Sequence, residues 1–157
     1  MHFDISGNNI RVEGTQALAA ALKGNMTMTR LNMSSNNMTY DVQGKAGKMA
    51  GIIALSGAIK DMRAILSVNL LKNGMGVEQA RALVIILKEH PTLKSLCGNN
   101  GDETELDMSG KMEGAEDAIM LAAEVVDNGA MTSLDLASNS LGIEGAKIIA
   151  DILPKCT

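Results

Sequence analysis

At 157 residues the chain fits a single domain, and an apolar content of 46% is enough to build a core. A net charge of −4 argues against nucleic acid as partner, because phosphate binding needs clustered Lys and Arg. No apolar run reaches the roughly 20 residues that span a bilayer, so no membrane partner is expected. One Phe, one Tyr and no Trp leave the core to aliphatics, Ala and 12 Met residues, which match Leu in volume but are more flexible.

The chain opens on Phe3-x-Ile5-x-x-Asn8, an alternation of apolar and polar residues that reads as a short strand ending in a turn. Glu13 and Gly14 then lead a helix whose predicted buried stripe is Ala17, Leu18, Ala21 and Leu22. The strand phrase returns as Leu31-x-Met33-x-x-Asn36. An insertion near 39–48, containing Tyr40, Asp41, Gln43, Lys45 and Lys48, delays the second helix; its stripe is Gly51, Ala54, Leu55, Ala58 and Ile59. Small, Gly-rich surroundings make this insertion a loop. Gly44-Lys45-Ala46-Gly47-Lys48 is no phosphate loop, because Met49 stands where Ser or Thr is needed.

The third copy is Val68-x-Leu70-x-x-Asn73, followed by Glu78 and a stripe of Ala82, Leu83, Ile86 and Leu87. His90 and Pro91 close that helix, and a histidine there places positive charge favourably against the dipole. Leu93-x-x-Leu96 then opens a strand that the sequence abandons for a second insertion near 97–105. A mobile polar loop is the preferred reading, and a very short sixth strand is the alternative. Its acids Asp102, Glu103 and Glu105 lack the ordered ligand positions of a calcium loop. The fourth phrase, Leu106-x-Met108-x-x-Lys111, loses its Asn, which predicts an irregular turn with Lys111 directed to solvent. Leu134-x-Leu136-x-x-Asn139 restores the pattern, and Glu144, Gly145, Ile148, Ile149, Ile152 and Leu153 complete the last unit.

Each unit is therefore a strand, a turn and a returning helix, so successive strands are parallel. A lone unit cannot bury its apolar face, whereas stacked units share one core. Ala17, Ala54 and Ala82 are expected to let the helices sit close to the sheet. The terminal Asn offers an acceptor and two donors to neighbouring turn backbone, which Lys111 cannot do. Glu13, Glu78 and Glu144 recur in the first helical turn, where negative charge suits the dipole.

These units resemble leucine-rich repeats, L-x-x-L-x-L-x-x-N, with the leading apolar residue present as Met28, Ile65 and Met131 and replaced by Glu103 in the fourth copy. The 28-residue step between Phe3 and Leu31, repeated between Leu106 and Leu134, resembles the ribonuclease-inhibitor-like subclass. The resemblance implies an α/β solenoid, a horseshoe arc of about five repeats with a parallel sheet on the concave face and helices on the convex face. It also implies an intracellular, non-enzymatic binding protein, with regulation of a partner enzyme such as a ribonuclease or small GTPase as the alternative.

No catalytic constellation emerges. His2 and His90 are the only histidines, and neither spacing builds a nucleophile–base pair or a metal cluster. No cofactor is expected. Cys97 and Cys156 form no CxxC pair and read as free thiols in a reducing compartment, the cytoplasm. Residues 1–9 are polar, so no secretory signal is expected.

A binding surface can be named. Strand alternation turns Asp4, Asn32, Asn69, Asp107 and Asp135 away from the helices, together with His2, Arg30, Ser67, Glu105 and Ser133. With strands ~4.8 Å apart, these residues would form one polar row ~20 Å across. Asp4, Arg30, Asn32, Asn69, Glu105, Asp107 and Asp135 are the candidate protein-binding residues, and the acidic end of the row suits a basic or polar protein surface. The whole chain is expected to form one domain, as a complete protein or a segment of a longer array. Its uncapped repeat ends suggest a homodimer.

Overall fold

The computed structural model describes residues 1–126 and 128–153. Cys156 lies outside them. Five strands alternate with five helices: β1 (His2–Asp4), α1 (Arg11–Leu22), β2 (Arg30–Asn32), α2 (Ala50–Asp61), β3 (Ser67–Asn69), α3 (Gly76–Glu89), β4 (Glu105–Asp107), α4 (Gly114–Val125), β5 (Ser133–Asp135) and α5 (Gly142–Ile152). The pairing is parallel, as helical crossovers require. Phe3 lies opposite Leu31 and Leu31 opposite Val68, while Leu106 lies opposite Leu134. The repeated phrase thus aligns the strands in space.

The strands do not form one sheet. β1, β2 and β3 make a three-stranded sheet, and β4 and β5 a separate pair. What lies beside β3 is the supposedly abandoned strand. Ser95 bridges Ser67 in parallel; the Val68 N–H donates to Ser95 O at 2.9 Å and the Leu70 N–H to Leu96 O at 3.0 Å. Isolated bridges at Ser95 and Cys97 thus pair the start of this segment with β3, while residues 98–104 form no strand. Leu96 follows Val68 by the same 28 residues that separate Phe3 from Leu31. The second irregularity thus opens with a short segment paired to β3, and no helix follows it before β4. The chain turns back within residues 98–104 to start β4, and α3 packs directly on α4.

Strand apolars and helical stripes share one core that includes Leu31, Val68, Leu96, Leu55, Leu83, Met108, Leu121 and Ile149. Met33, Met38, Met62 and Met75 are fully buried within it, and Met33 fills a position where the repeat asks for Leu. The predicted helix phase is correct for α2, where Gly51, Leu55, Ala58 and Ile59 are buried. Elsewhere it holds in part: Leu22 of α1, Leu83 and Ile86 of α3, and Ile149 and Ile152 of α5 are buried as predicted. α1 buries Val12, Thr15, Ala19 and Leu22 while Ala17 and Ala21 are exposed; α3 buries Ala80, Leu83 and Ile86 while Ala82 is exposed. In α5 Gly145 and Ile149 face inward and Leu153 outward. An Ala-rich segment carries almost no amphipathic signal, so packing decides its phase. The small residues that allow close approach are others. At Gly51 an added Cβ would lie 3.2 Å from the carbonyl oxygens of Val12 and Met38.

The turns repeat in atomic detail. Asn36 Nδ2 donates to Ile5 O and Met33 O at 2.9 and 3.0 Å, and Asn73 Nδ2 to Met33 O and Leu70 O at 3.1 and 2.9 Å. Their Oδ1 atoms accept the N–H of the preceding unit's Asn: Asn8 to Asn36 and Asn36 to Asn73, both at 2.8 Å. Each buried Asn thereby ties two turns together. The residue before it lies in the left-handed region in every unit: Gly7, Ser35, Lys72, Gly110 and Ser138. At the fourth turn the ladder slips by one residue, and Met112 N–H, not that of Lys111, reaches Asn139 Oδ1 at 2.8 Å. The turn is irregular as expected. Lys111 is exposed, but its Nζ folds back onto Asp107 O instead of extending into solvent.

Candidate protein-interaction face

The sheet face away from the helices carries the predicted row, in two pieces. Asp4, Asn32 and Asn69 stand on one sheet, and Asp107 and Asp135 on the other. All five make the same local bond, an Asx-type turn closing the strand end. Asp4 Oδ1 accepts Ser6 N–H at 2.9 Å, Asn32 Oδ1 Ser34 N–H at 3.2 Å, Asn69 Oδ1 Leu71 N–H at 3.2 Å, Asp107 Oδ1 Ser109 N–H at 2.8 Å and Asp135 Oδ1 Ala137 N–H at 2.8 Å. One side-chain oxygen of each residue therefore serves the fold. Bonds from the Ser109 hydroxyl and then its amide hold the Asp107 carboxyl below its usual range, and the Ser6 amide and hydroxyl do the same for Asp4.

Charge separates the two pieces. In the first sheet Asp4 is relieved by its neighbour, since Asn32 Nδ2 donates to Asp4 Oδ2 at 3.0 Å. In the second, Asp107 lies directly opposite Asp135, with Glu105 two residues earlier on the same face, and all three are exposed. Like charges at opposed sheet positions are unfavourable. The second row of the prediction holds for exposed His2, Arg30, Glu105 and Ser133 but not for Ser67, which is buried beside the segment paired to β3. Arg30 is engaged: its Nη2 donates to Asn100 Oδ1 in the turn-back segment.

The sheet break is closed by two acids of α4 that sequence reading passed over. Glu124 Oε1 accepts the N–H groups of Leu96 (2.6 Å) and Cys97 (3.0 Å), and Oε2 accepts Ser95 Oγ–H and Asn99 Nδ2–H at 2.9 and 3.0 Å. It supplies what a next strand would have supplied. One helical heptad earlier, Asp117 Oδ2 accepts Lys72 N–H at 3.0 Å and Glu113 N–H at 2.8 Å, joining the third turn to the start of α4. Asp117 is fully buried and its Oδ1 has no partner. Burial pushes its carboxyl up to about 7, against the two amide bonds, and burial likewise raises Glu124. An Asp and a Glu seven residues apart in a helix read as solvated surface; only the sheet break makes them structural. On the opposite side of the break, Lys111 covers the β4 edge at Asp107 O, and Lys72 Nζ reaches Gly110 O at 2.7 Å.

Other sequence candidates fall into structural roles. Cys97 is a free thiol, as expected, but it is buried; desolvation and the nearby Glu124 charge push its pKa well up, so it is unreactive at neutral pH. His90 does not serve as a positive cap. Its Nδ1 accepts the N–H groups of Leu93 at 3.0 Å and Thr92 at 3.3 Å, and desolvation lowers its pKa, so the ring is neutral. Glu103 closes the turn-back segment by accepting Asn100 and Gly101 N–H at 2.5 and 2.9 Å. The 39–48 insertion is a loop, and it is held. Arg11 Nη1 donates to Asp41 O and Val42 O at 3.3 and 2.8 Å, while Asp41 Oδ1 accepts Gln43 and Lys45 N–H. Arg11 takes a left-handed φ of 62° at the place where later units use Gly76, Gly114 and Gly142.

A family model described as Leucine Rich repeat matches residues 1–19, 24–41 and 130–150. These segments are similar to leucine-rich repeats. They cover the first, second and fifth strand phrases, and the unmatched middle contains the segment paired to β3 and the slipped turn. No curated protein matches the chain. Leucine-rich-repeat domains are generally protein-interaction modules and typically non-enzymatic. Among the described residues no helix is long and apolar enough to cross a membrane.

Proposed function

We propose that this chain is a non-enzymatic protein-interaction module whose open sheet face binds a polar or basic protein surface. In this reading the repeats form one ribonuclease-inhibitor-like solenoid arc with the open face concave. Asp4, Arg30, Asn32, Asn69, Glu105, Asp107 and Asp135 contact the partner, aided by the 39–48 and 97–105 segments. The observation that carries the reading is the opposed pair Asp107 and Asp135 with Glu105 beside them. The fold needs only an Asx oxygen at these places, and Asn32 and Asn69 supply it without charge. The extra negative charges act against the sheet, and a basic partner would relieve them.

The double variant Asp107→Asn/Asp135→Asn keeps the turn acceptors and removes two charges. Proteins captured by the wild-type chain should be identified, purified and measured by calorimetry against this variant and against Arg81→Glu on the exposed side of α3. The reading predicts at least tenfold weaker binding for the double variant, unchanged binding for the helix variant, and affinity that falls with salt. A purified partner that binds the double variant as tightly as wild type would refute it.

A further inference from the structure

The sheet break leaves a cleft of about 410 Å³ on the open face, between the third and fourth turns. Its polar lining includes Ser35, Asn69, Lys72, Asn99 and Lys111, and no acid lines it. The two lysines are departures from the repeat. Lys72 occupies the left-handed turn position taken elsewhere by Gly or Ser, at φ 57°, and Lys111 replaces the ladder Asn. A long side chain is not what that backbone position selects for. Nor does the ladder explain Lys111, which cannot accept a hydrogen bond. The repeat accounts for neither lysine, yet both line one cleft.

Both ammonium groups are held on the β4–α4 turn, Lys72 Nζ on Gly110 O at 2.7 Å and Lys111 Nζ on Asp107 O. Each uses one donor on a neutral carbonyl and has two more. Neither lies in an ion pair; among the described residues the single pair is Lys147–Glu144. Asp107 stands close enough for the Lys111 charge to help hold its carboxyl low, after the Ser109 bonds and in the absence of a direct ion pair. Asp107 Oδ1 accepts Ser109 N–H and Oγ–H, and Asp117 Oδ2 accepts Lys72 N–H and Glu113 N–H from inside the core. Asn69 spends its Oδ1 on Leu71 N–H, which leaves its Nδ2 donor against Gly98 at the cleft wall.

We propose that this cleft is an anion subsite of the interaction face, and that it takes an acidic side chain of the partner protein between Lys72 and Lys111. This rests on the protein-binding reading and adds to it: the partner presents a carboxylate to the cleft beside basic groups facing Asp107 and Asp135. The space is larger than a single ion needs, which suits a side chain entering from a protein surface. The alternating signs across the break would fix the partner's register.

The test uses the whole chain and a capped tetraglutamate peptide at low ionic strength, followed by amide chemical shifts. Saturable shifts are expected at Lys72, Gly98, Gly110 and Lys111, at least tenfold weaker in Lys72→Met/Lys111→Met and retained in Lys72→Arg/Lys111→Arg. The same peptide should protect Lys72 and Lys111 of the wild-type chain from reductive methylation, a readout independent of variant folding. Shifts spread over Lys45, Lys48 and Lys147, equal affinity in the Met variant, or no protection would overturn the proposal. Saturation by inorganic phosphate at concentrations where the peptide does not bind would also overturn it, in favour of a small-anion site. No partner enters this experiment, so it can fail while the Asp107 and Asp135 test succeeds, and the reverse.

Discussion

Asp117 should make the stability of this protein fall as the solution moves from acid to neutral. Its carboxyl is fully buried, its Oδ1 is unpartnered, and burial raises its pKa from 3.8 to about 7. The amide bonds from Glu113 and Lys72 oppose the rise without cancelling it. Glu113 and Glu116 add negative potential, and the bonds it receives come from the neutral amides of Lys72 and Glu113. The folded state therefore holds this proton more tightly than the unfolded chain. The stabilisation is complete below pH 3.8 and is lost progressively as pH rises through about 7. A rise of roughly three units corresponds to about 4 kcal/mol over that interval. Urea unfolding followed by circular dichroism between pH 4 and pH 8, on wild type and Asp117→Asn, isolates the contribution; Glu124 shifts in the same direction but is common to both. Asn can still accept the two amide bonds, but its NH₂ then occupies the unpartnered place, at roughly 1–3 kcal/mol. The variant should be less stable than wild type at pH 4 and at least as stable at pH 8. Parallel curves, with a constant difference between the two proteins, would refute the assignment of Asp117 as a buried, proton-holding link across the sheet break.

Three further outcomes follow from the same contacts. Glu124→Gln keeps one acceptor and turns the other into a donor facing Asn99 Nδ2 and Ser95, so it should cost roughly 1–3 kcal/mol; hydrogen exchange at Leu96 and Cys97 should speed up tenfold or more while β1 and β2 are unaffected. Asn73→Ala orphans Leu70 O, removes one of the two bonds to Met33 O and leaves Asn36 N–H without its acceptor, and thermal unfolding should report a loss of about 2–4 kcal/mol. Arg11→Gly should change stability by less than about 1 kcal/mol, because relief at φ 62° offsets the lost bonds. The same variant frees Val42 O and removes one of two bonds to Asp41 O, so limited proteolysis should cut within 41–48 faster than in wild type.

The strands, their register and the Asn ladder were legible because each unit repeats them, and a rule stated several times survives local noise. Helix phase was legible only where large apolar residues mark it. Leu55 and Ile59 did so in α2, whereas the run Ala19-Ala20-Ala21 leaves the phase to packing. The segment paired to β3 was half visible: Leu93-x-x-Leu96 announces it, and Leu96 follows Val68 by the 28-residue step of the repeat. Asp117 and Glu124 were not legible, because a carboxylate that replaces a missing strand has no periodicity of its own. Their role exists only once residues 95–97 lack a neighbour. The candidate face was found by strand alternation, but the shared Asx turn was overlooked, and Ser67 was placed outward where the segment paired to β3 covers it.

The central claim is that partners dock on the open sheet face and not on the helices. Site-specific photocross-linking tests it directly, with a photoreactive residue placed singly at Ser133 and Glu105 on the strand side and at Lys60 and Arg81 on the helix side, each exposed. The account predicts cross-links to a purified partner from the two strand positions and none from the helical ones. Cross-links from Lys60 or Arg81, with Ser133 and Glu105 silent, would contradict it.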